Sequence, residues 1–283
     1  MNAETNSKLR RPISLRWAEA KLGAEWIEGT TKDPHSQAFA YAMLQAPETT
    51  MRPILIPSGT TYSGGQAKAD KVFLIMDGAL DITVDDRAES YGEHDLVAVT
   101  AGTRFTLANP GLDGAVVCEI AAKTNARTDV DAAPPAMRFQ EYKNRFSWTL
   151  PWAERFGYHR GSGPLIVTDE IRGHTVRMPV GQATPWHYAA RDLMFMGIHN
   201  EVTFMADGQS FPLRRFDMLL IPSGVPYSYK NVDFGEAFFI SIGGKLIPGN
   251  KGTYFDADPG YPVNPAARTL EVYIDANGDA KLR

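Results

Sequence analysis

Short apolar runs, four to seven residues long, alternate with Gly, Pro, Asp and Asn through most of the chain. That punctuation predicts strands joined by tight turns rather than amphipathic helices. Between positions 51 and 121 the runs lie in MRPILIPSG, KVFLIMDG, ALDITV, DLVAVTAG, RFTLANPG and GAVVCEIAA. Between 163 and 243 a second series follows: GPLIVTD, HTVRMPVG, DLMFMGI, EVTFMADG, DMLLIPSG, YSYKN and EAFFISIGG. The two series superimpose without a gap at a constant offset of 122 positions, which matches Pro57 with Pro179, Gly59 with Gly181, Asp70 with Asp192, Phe73 with Phe195, Asp85 with Asp207, Asp95 with Asp217, Gly102 with Gly224 and Asn109 with Asn231. A spacing kept over so long a stretch predicts two related antiparallel barrels in an all-β chain, with few short helices.

The flanking segments read differently. Residues 1–50 are an N-terminal arm and a packing extension: 1–16 read as a loose polar arm, or one swapped in a dimer, while the runs at 15–27 and 38–44 are expected on the outside of the first barrel, which occupies 51–121. Residues 122–162 open as a polar linker stiffened at Pro134 and Pro135, then turn aromatic in FQEYKNRFSWTLPWAERFGYH, too rich in large rings for a free tether. That connector is expected to cover a barrel, lie between barrels or enter a dimer contact, with His159 a candidate lid residue. The second barrel occupies 163–243, and 244–283 is a Gly/Pro-rich loop ending in a strand at Thr269 to Ile274.

Charge narrows the partners. A formal net charge of -4, with the basic pairs Arg10-Arg11 and Arg214-Arg215 too short to form a patch, argues against nucleic acid. No apolar run reaches the length of a bilayer span and the N-terminus carries no secretory pattern, so a cytoplasmic protein with no membrane partner is expected. Cys118 is the sole cysteine, which excludes an intrachain disulfide and a cysteine metal cluster; its alternation with Val116 and Ile120 marks a buried strand residue.

The second series resembles the cupin superfamily, whose antiparallel barrels are jelly rolls and are often duplicated as bicupins. Gly181 and His187 fit the opening of the first cupin signature, while Ala189 stands at its second His, and Leu193, with Asp192 beside it, stands at its Glu. In the second signature Pro222, Gly224 and Asn231 are kept, Phe216 replaces the first Gly and Tyr227 replaces the His. The first series offers Gly65, Ala67, Lys71 and Phe105 at the matching positions. The resemblance therefore implies a duplicated jelly roll with a degenerate metal signature, a first barrel that is structural or dimer-forming, and a homodimer.

Strand alternation gives the second barrel a candidate site. His187 and Tyr227 are the candidate proton-moving pair; Trp186, Arg191, Phe195, Tyr229 and Glu236 are candidate substrate-binding residues, Arg191 for an anionic group. The leading expectation is a metal-independent lyase or isomerase acting on a small, polar, anionic compound, with no cofactor favoured. One alternative is a metal-dependent oxygenase or hydrolase holding divalent Fe, Mn, Ni or Zn through His187, Asp192 and His199, with His174 in reserve. Another is a small-molecule-binding or sensing protein without catalysis.

Overall fold

The computed structural model describes residues 11–17, 42–123 and 170–244 continuously, and 19, 25–26, 38–40, 136–137, 161–163, 168, 251–255, 258–260, 269–274 and 280–282 as shorter stretches. The N-terminal ten residues, His159 and the aromatic run before it lie outside the described residues. The regular elements described are all strands.

Each series forms eight strands. The first comprises Thr49–Ile56, Thr61–Gln66, Lys71–Asp77, Leu80–Val84, Arg87–Tyr91, Leu96–Val99, Arg104–Ala108 and Ala115–Ala122. The second comprises Ile171–Met178, Trp186–Tyr188, Leu193–His199, Val202–Ala206, Gln209–Leu213, Met218–Ile221, Tyr227–Asn231 and Ala237–Gly244. In each, a sheet built on the first, third, sixth and eighth strands faces a sheet built on the other four, and side chains between them form a closed core. This is a duplicated antiparallel jelly roll.

The 122-residue offset is a property of the backbone. Left-handed φ angles occur in matched pairs: Gly59 and Gly181, Gly78 and Asn200, Asp85 and Asp207, His94 and Phe216, Gly102 and Gly224. The matched polar residues hold these turns. Asp70 Oδ1 accepts from the Ala101 amide, and Asp192 Oδ1 from the Ser223 amide. Asp95 accepts from Gly92 as Asp217 does from Arg214. Asn109 Nδ2 donates to the carbonyls of Ile56 and Asp113, and Asn231 Nδ2 donates to those of Met178 and Gly235, all at 2.8 Å. Asn231 is fully buried. Replacing Asn231 by Ala leaves two carbonyls short of a donor and is expected to cost about 2–3 kcal/mol in urea denaturation.

The offset reaches into the flanks, with an exchange. Ile13–Leu15 pairs with Met218–Ile221 of the second series, whereas Ala136–Met137 pairs with Leu96–Val99 of the first. Ser14 and Ala136 are themselves 122 apart and meet Leu219 and Val97, also 122 apart. Each unit's leading strand thus lies on the other unit's sheet. The arm is thus docked rather than loose, and the start of the 15–27 run, expected on the first barrel, meets the second unit instead: Trp17 stacks edge-on to Phe216 at 5.5 Å, and its amide donates to Asp217. The strands at Glu25–Trp26 and Phe39–Ala40 do join the first unit's sheet.

The outer faces of the two larger sheets share one apolar core. Val72, Leu74, Val116, Cys118 and Ile120 from the first unit belong to the same buried cluster as Met194, Met196, Met218, Ile240 and Ile242 from the second. Burial chiefly, with Glu119 assisting, pushes the Cys118 thiol far up, so it is an inert core residue. At the edge of this seam His94 sits edge-on to Phe238 at 6.2 Å. Burial lowers its pKa to about 4, helped by Arg215 and His199 and opposed by Asp95. A histidine kept neutral in the folded state binds its proton later than the unfolded chain does. Stability is therefore full above about pH 6.5 and falls as pH drops toward 4. The loss is about 2 kcal/mol after discounting for the ring's partial exposure. His94→Asn, which tolerates the left-handed backbone, is expected to flatten that part of the pH–stability curve.

Candidate functional site

On Trp186–Tyr188 the central side chain faces inward and its neighbours face outward, because successive side chains on a strand alternate. His187 is directly opposite Tyr227 across the ladder, and their ring centroids are 4.3 Å apart. Both are nearly buried, at 7% and 4% exposure. His187 Nδ1 lies 2.7 Å from the Pro185 carbonyl oxygen. A carbonyl can only accept, so Nδ1 carries the proton and the neutral ring's lone pair is on Nε2.

The other walls are aromatic. Phe195 lies 5.7 Å from the Tyr227 ring and 4.7 Å from Phe204, and Tyr229 lies 4.8 Å from Phe204 and 5.2 Å from Phe239. The sheet that carries His187 is extended by the C-terminal tail: Lys251–Phe255 pairs with Trp186–Tyr188, and Thr269–Ile274 pairs with it in turn. The site strand is therefore pinned on both sides.

Arg191 closes one end. Its guanidinium donates to the Gly244 carbonyl, and a Cβ on Gly243 would lie 2.9 Å from its Nε, so the bare backbone at Gly243 makes room for it. Burial lowers its pKa to about 10 while Glu48 and Tyr227 oppose the shift, so it remains a cation at neutral pH. A polar pair adds to this chamber: His174, the reserve metal candidate, and Ser241, which the sequence reading missed. His174 has the strand phase of Val176 and Met178, which are in the second barrel's core, and sits opposite Ser241, itself opposite Phe195. Their signal was present in that phase, two residues from an inward Val.

Other candidates are directed elsewhere. Trp186, half-buried, faces away from His187. Glu236 precedes a strand whose inward members are Ala237 and Phe239, which puts it in phase with the outward Phe238; its carboxylate pairs with Arg177. This corrects its placement among the lumen residues.

The ligand set His187, Asp192 and His199 does not converge. Asp192 and His199 bracket the extended strand Leu193–His199, which separates them by roughly 20 Å. Asp192 is held at the Ser223 amide, and His199 is exposed. No group of three or more His, Cys, Asp or Glu side chains suited to a metal occurs among the described residues. Among the described residues the chamber offers the imidazoles of His187 and His174 beside two phenols, short of the three or more His and carboxylate ligands a cupin-type metal takes, and no step is derived through one.

No protein-family description matches the chain. No curated protein matches it in sequence. Among solved structures it is similar to a cupin 2 conserved barrel domain protein from Leptotrichia buccalis, at 13% identity and a TM-score of 0.58, over 86% of this chain and 100% of that one. It is similar to AerE from Microcystis aeruginosa at 13% identity and a TM-score of 0.60, over 79% and 97%. It is also similar to the salicylate 1,2-dioxygenase of Pseudoaminobacter salicylatoxidans in adducts with gentisate, at 10% identity and a TM-score of 0.57, over 82% and 80%.

Proposed function

We propose, from the premise that the chain has the duplicated cupin fold, that its second barrel is an acid–base site for a small, polar, anionic compound and that the reaction is an isomerisation or an elimination. The observation carrying this reading is the His187–Tyr227 pair at 4.3 Å, with Nδ1 tied to the Pro185 carbonyl. His187 Nε2 removes a proton beside a carbonyl or carboxylate, and the Tyr227 hydroxyl donates to the oxygen on which charge develops. In an isomerisation His187 returns that proton to a neighbouring carbon; in an elimination Tyr227 protonates the departing oxygen. Arg191, with donors beyond the one on Gly244, holds the anionic group.

A thermal-shift screen of keto acids, sugar acids and aromatic acids, followed by NMR of the stabilising compounds in chelator-treated protein, tests the proposal. Product formed under chelation supports it; turnover that needs an added divalent metal overturns it. Binding without turnover is the second reading. It predicts a saturable ligand and no product under any condition. The homodimer stays a proposal drawn from the cupin likeness, checked by light scattering of the full chain. Among the described residues no helix is long and apolar enough to cross a membrane.

A further inference from the structure

The first barrel holds a buried charge cluster that the matching of signature positions did not expose. On Thr49–Ile56 the inward residues Ile54 and Ile56 set the phase of Arg52; on Lys71–Asp77, Phe73 and Ile75 set that of Lys71; on Ala115–Ala122, Ala115 and Val117 set that of Glu119. All three point into the lumen. Arg52 Nη2 donates to Glu119 Oε1 at 2.8 Å, and Lys71 Nζ donates to Oε2 at 2.6 Å.

We propose that this lumen is a second binding site, for a small organic carboxylate. Two cations share one carboxylate, which leaves one positive charge in surplus around a Glu119 side chain that is 5% exposed. Arg52 and Lys71, at 27% and 18%, are the members of the cluster that reach toward solvent. Arg52 Nε is buried with no hydrogen-bond partner among the described residues, and a desolvated donor without an acceptor is costly unless something supplies one. The wall beside the cations is aromatic: Phe105 lies 6.1 Å from Tyr62 and 5.3 Å from Phe73, with Lys71 Nζ 5.9 Å from its centroid. A Cβ on Gly64 would fall 1.8 Å from the Phe105 ring, so the missing side chain is what lets that ring lie where it does. Burial, then Glu119, raises the Tyr62 pKa and keeps its hydroxyl a donor. The repeat supports the placement: Arg52 and Glu119 are 122 residues before His174 and Ser241, so both barrels put polar groups at the same level. A ligand with a carboxylate head for Arg52 and Lys71 and a flat carbon body for Phe105 and Tyr62 meets each of these features.

The probe is 4-bromobenzoate with the full-length protein, located by bromine anomalous scattering in crystals and titrated calorimetrically. Bromine density inside the first barrel is expected. Glu119→Gln removes the competing carboxylate and is expected to tighten binding about tenfold, while Lys71→Gln weakens it by about the same factor. Arg191→Gln leaves this binding unchanged. Absence of bromine from the first barrel of the wild-type protein overturns the proposal, as does an affinity indifferent to both Glu119→Gln and Lys71→Gln. Binding lost in Arg191→Gln but kept in Lys71→Gln puts the anion in the second barrel, which overturns this inference and supports the function proposed for that site.

Discussion

His187→Ala is expected to lower kcat by about 10²–10⁴ once a substrate is in hand, the range supplied by a positioned general base. The fold should survive, because His187 is on a three-residue strand held by Tyr227–Asn231 on one side and Lys251–Phe255 on the other through backbone bonds that the substitution leaves intact. Tyr227→Phe keeps the ring that touches Phe195 at 5.7 Å and removes only the hydroxyl. Its loss should fall on kcat rather than KM, since a donor to developing negative charge acts in the transition state. The double variant should lose little more than the worse single, as expected for two groups acting on one proton transfer. Wild-type turnover in both single variants, with circular dichroism unchanged, refutes the assignment.

Ile240→Asp is expected to abolish cooperative folding or to cost more than about 4 kcal/mol, because it places a carboxylate where nothing can solvate or pair it. Ile240 is 1% exposed and lies on the outward face of the second unit's larger sheet, in the apolar seam shared with Leu74, Cys118 and Ile120 of the first. Ile240→Val removes one methylene and should cost about 0.5–1.5 kcal/mol, which separates the effect of the charge from that of volume. Both are read from urea denaturation by tryptophan fluorescence and far-UV circular dichroism. Coincident transitions in the wild type indicate one cooperative unit across the seam. An Ile240→Asp protein as stable as wild type removes the shared core as a source of stability.

The repeat shows how far turn chemistry carries a sequence reading. Gly59, Asp70, Asp95, Gly102 and Asn109 match their partners because each makes the same local hydrogen bond or left-handed turn in both units. Turn residues of this kind are set by local backbone geometry, so residue type and spacing betray them even where, as with Asn109 and Ile56, the bond itself joins strands of different sheets. The same finding moves Asp192 from metal candidate to turn-holder, a distinction that requires knowing where its oxygen points. Signature positions matched by offset went only part of the way: they picked out Lys71 and Phe105 of the first barrel's cluster but not Arg52 and Glu119, which belong to strands outside the signatures.

Alternation and turn residues by themselves determined that this is an all-β chain of two related barrels, and they put Tyr227 and Tyr229 on one face of their strand, because side-chain direction on a strand repeats every second residue. Tertiary structure alone decided which inward residues meet. The exchange of leading strands, the docking of the tail beside His187, the pairing of Glu236 with Arg177 and the gathering of Arg52, Lys71 and Glu119 depend on strands distant in sequence becoming neighbours. Register between such strands is fixed by packing of the whole core, and no local pattern encodes it.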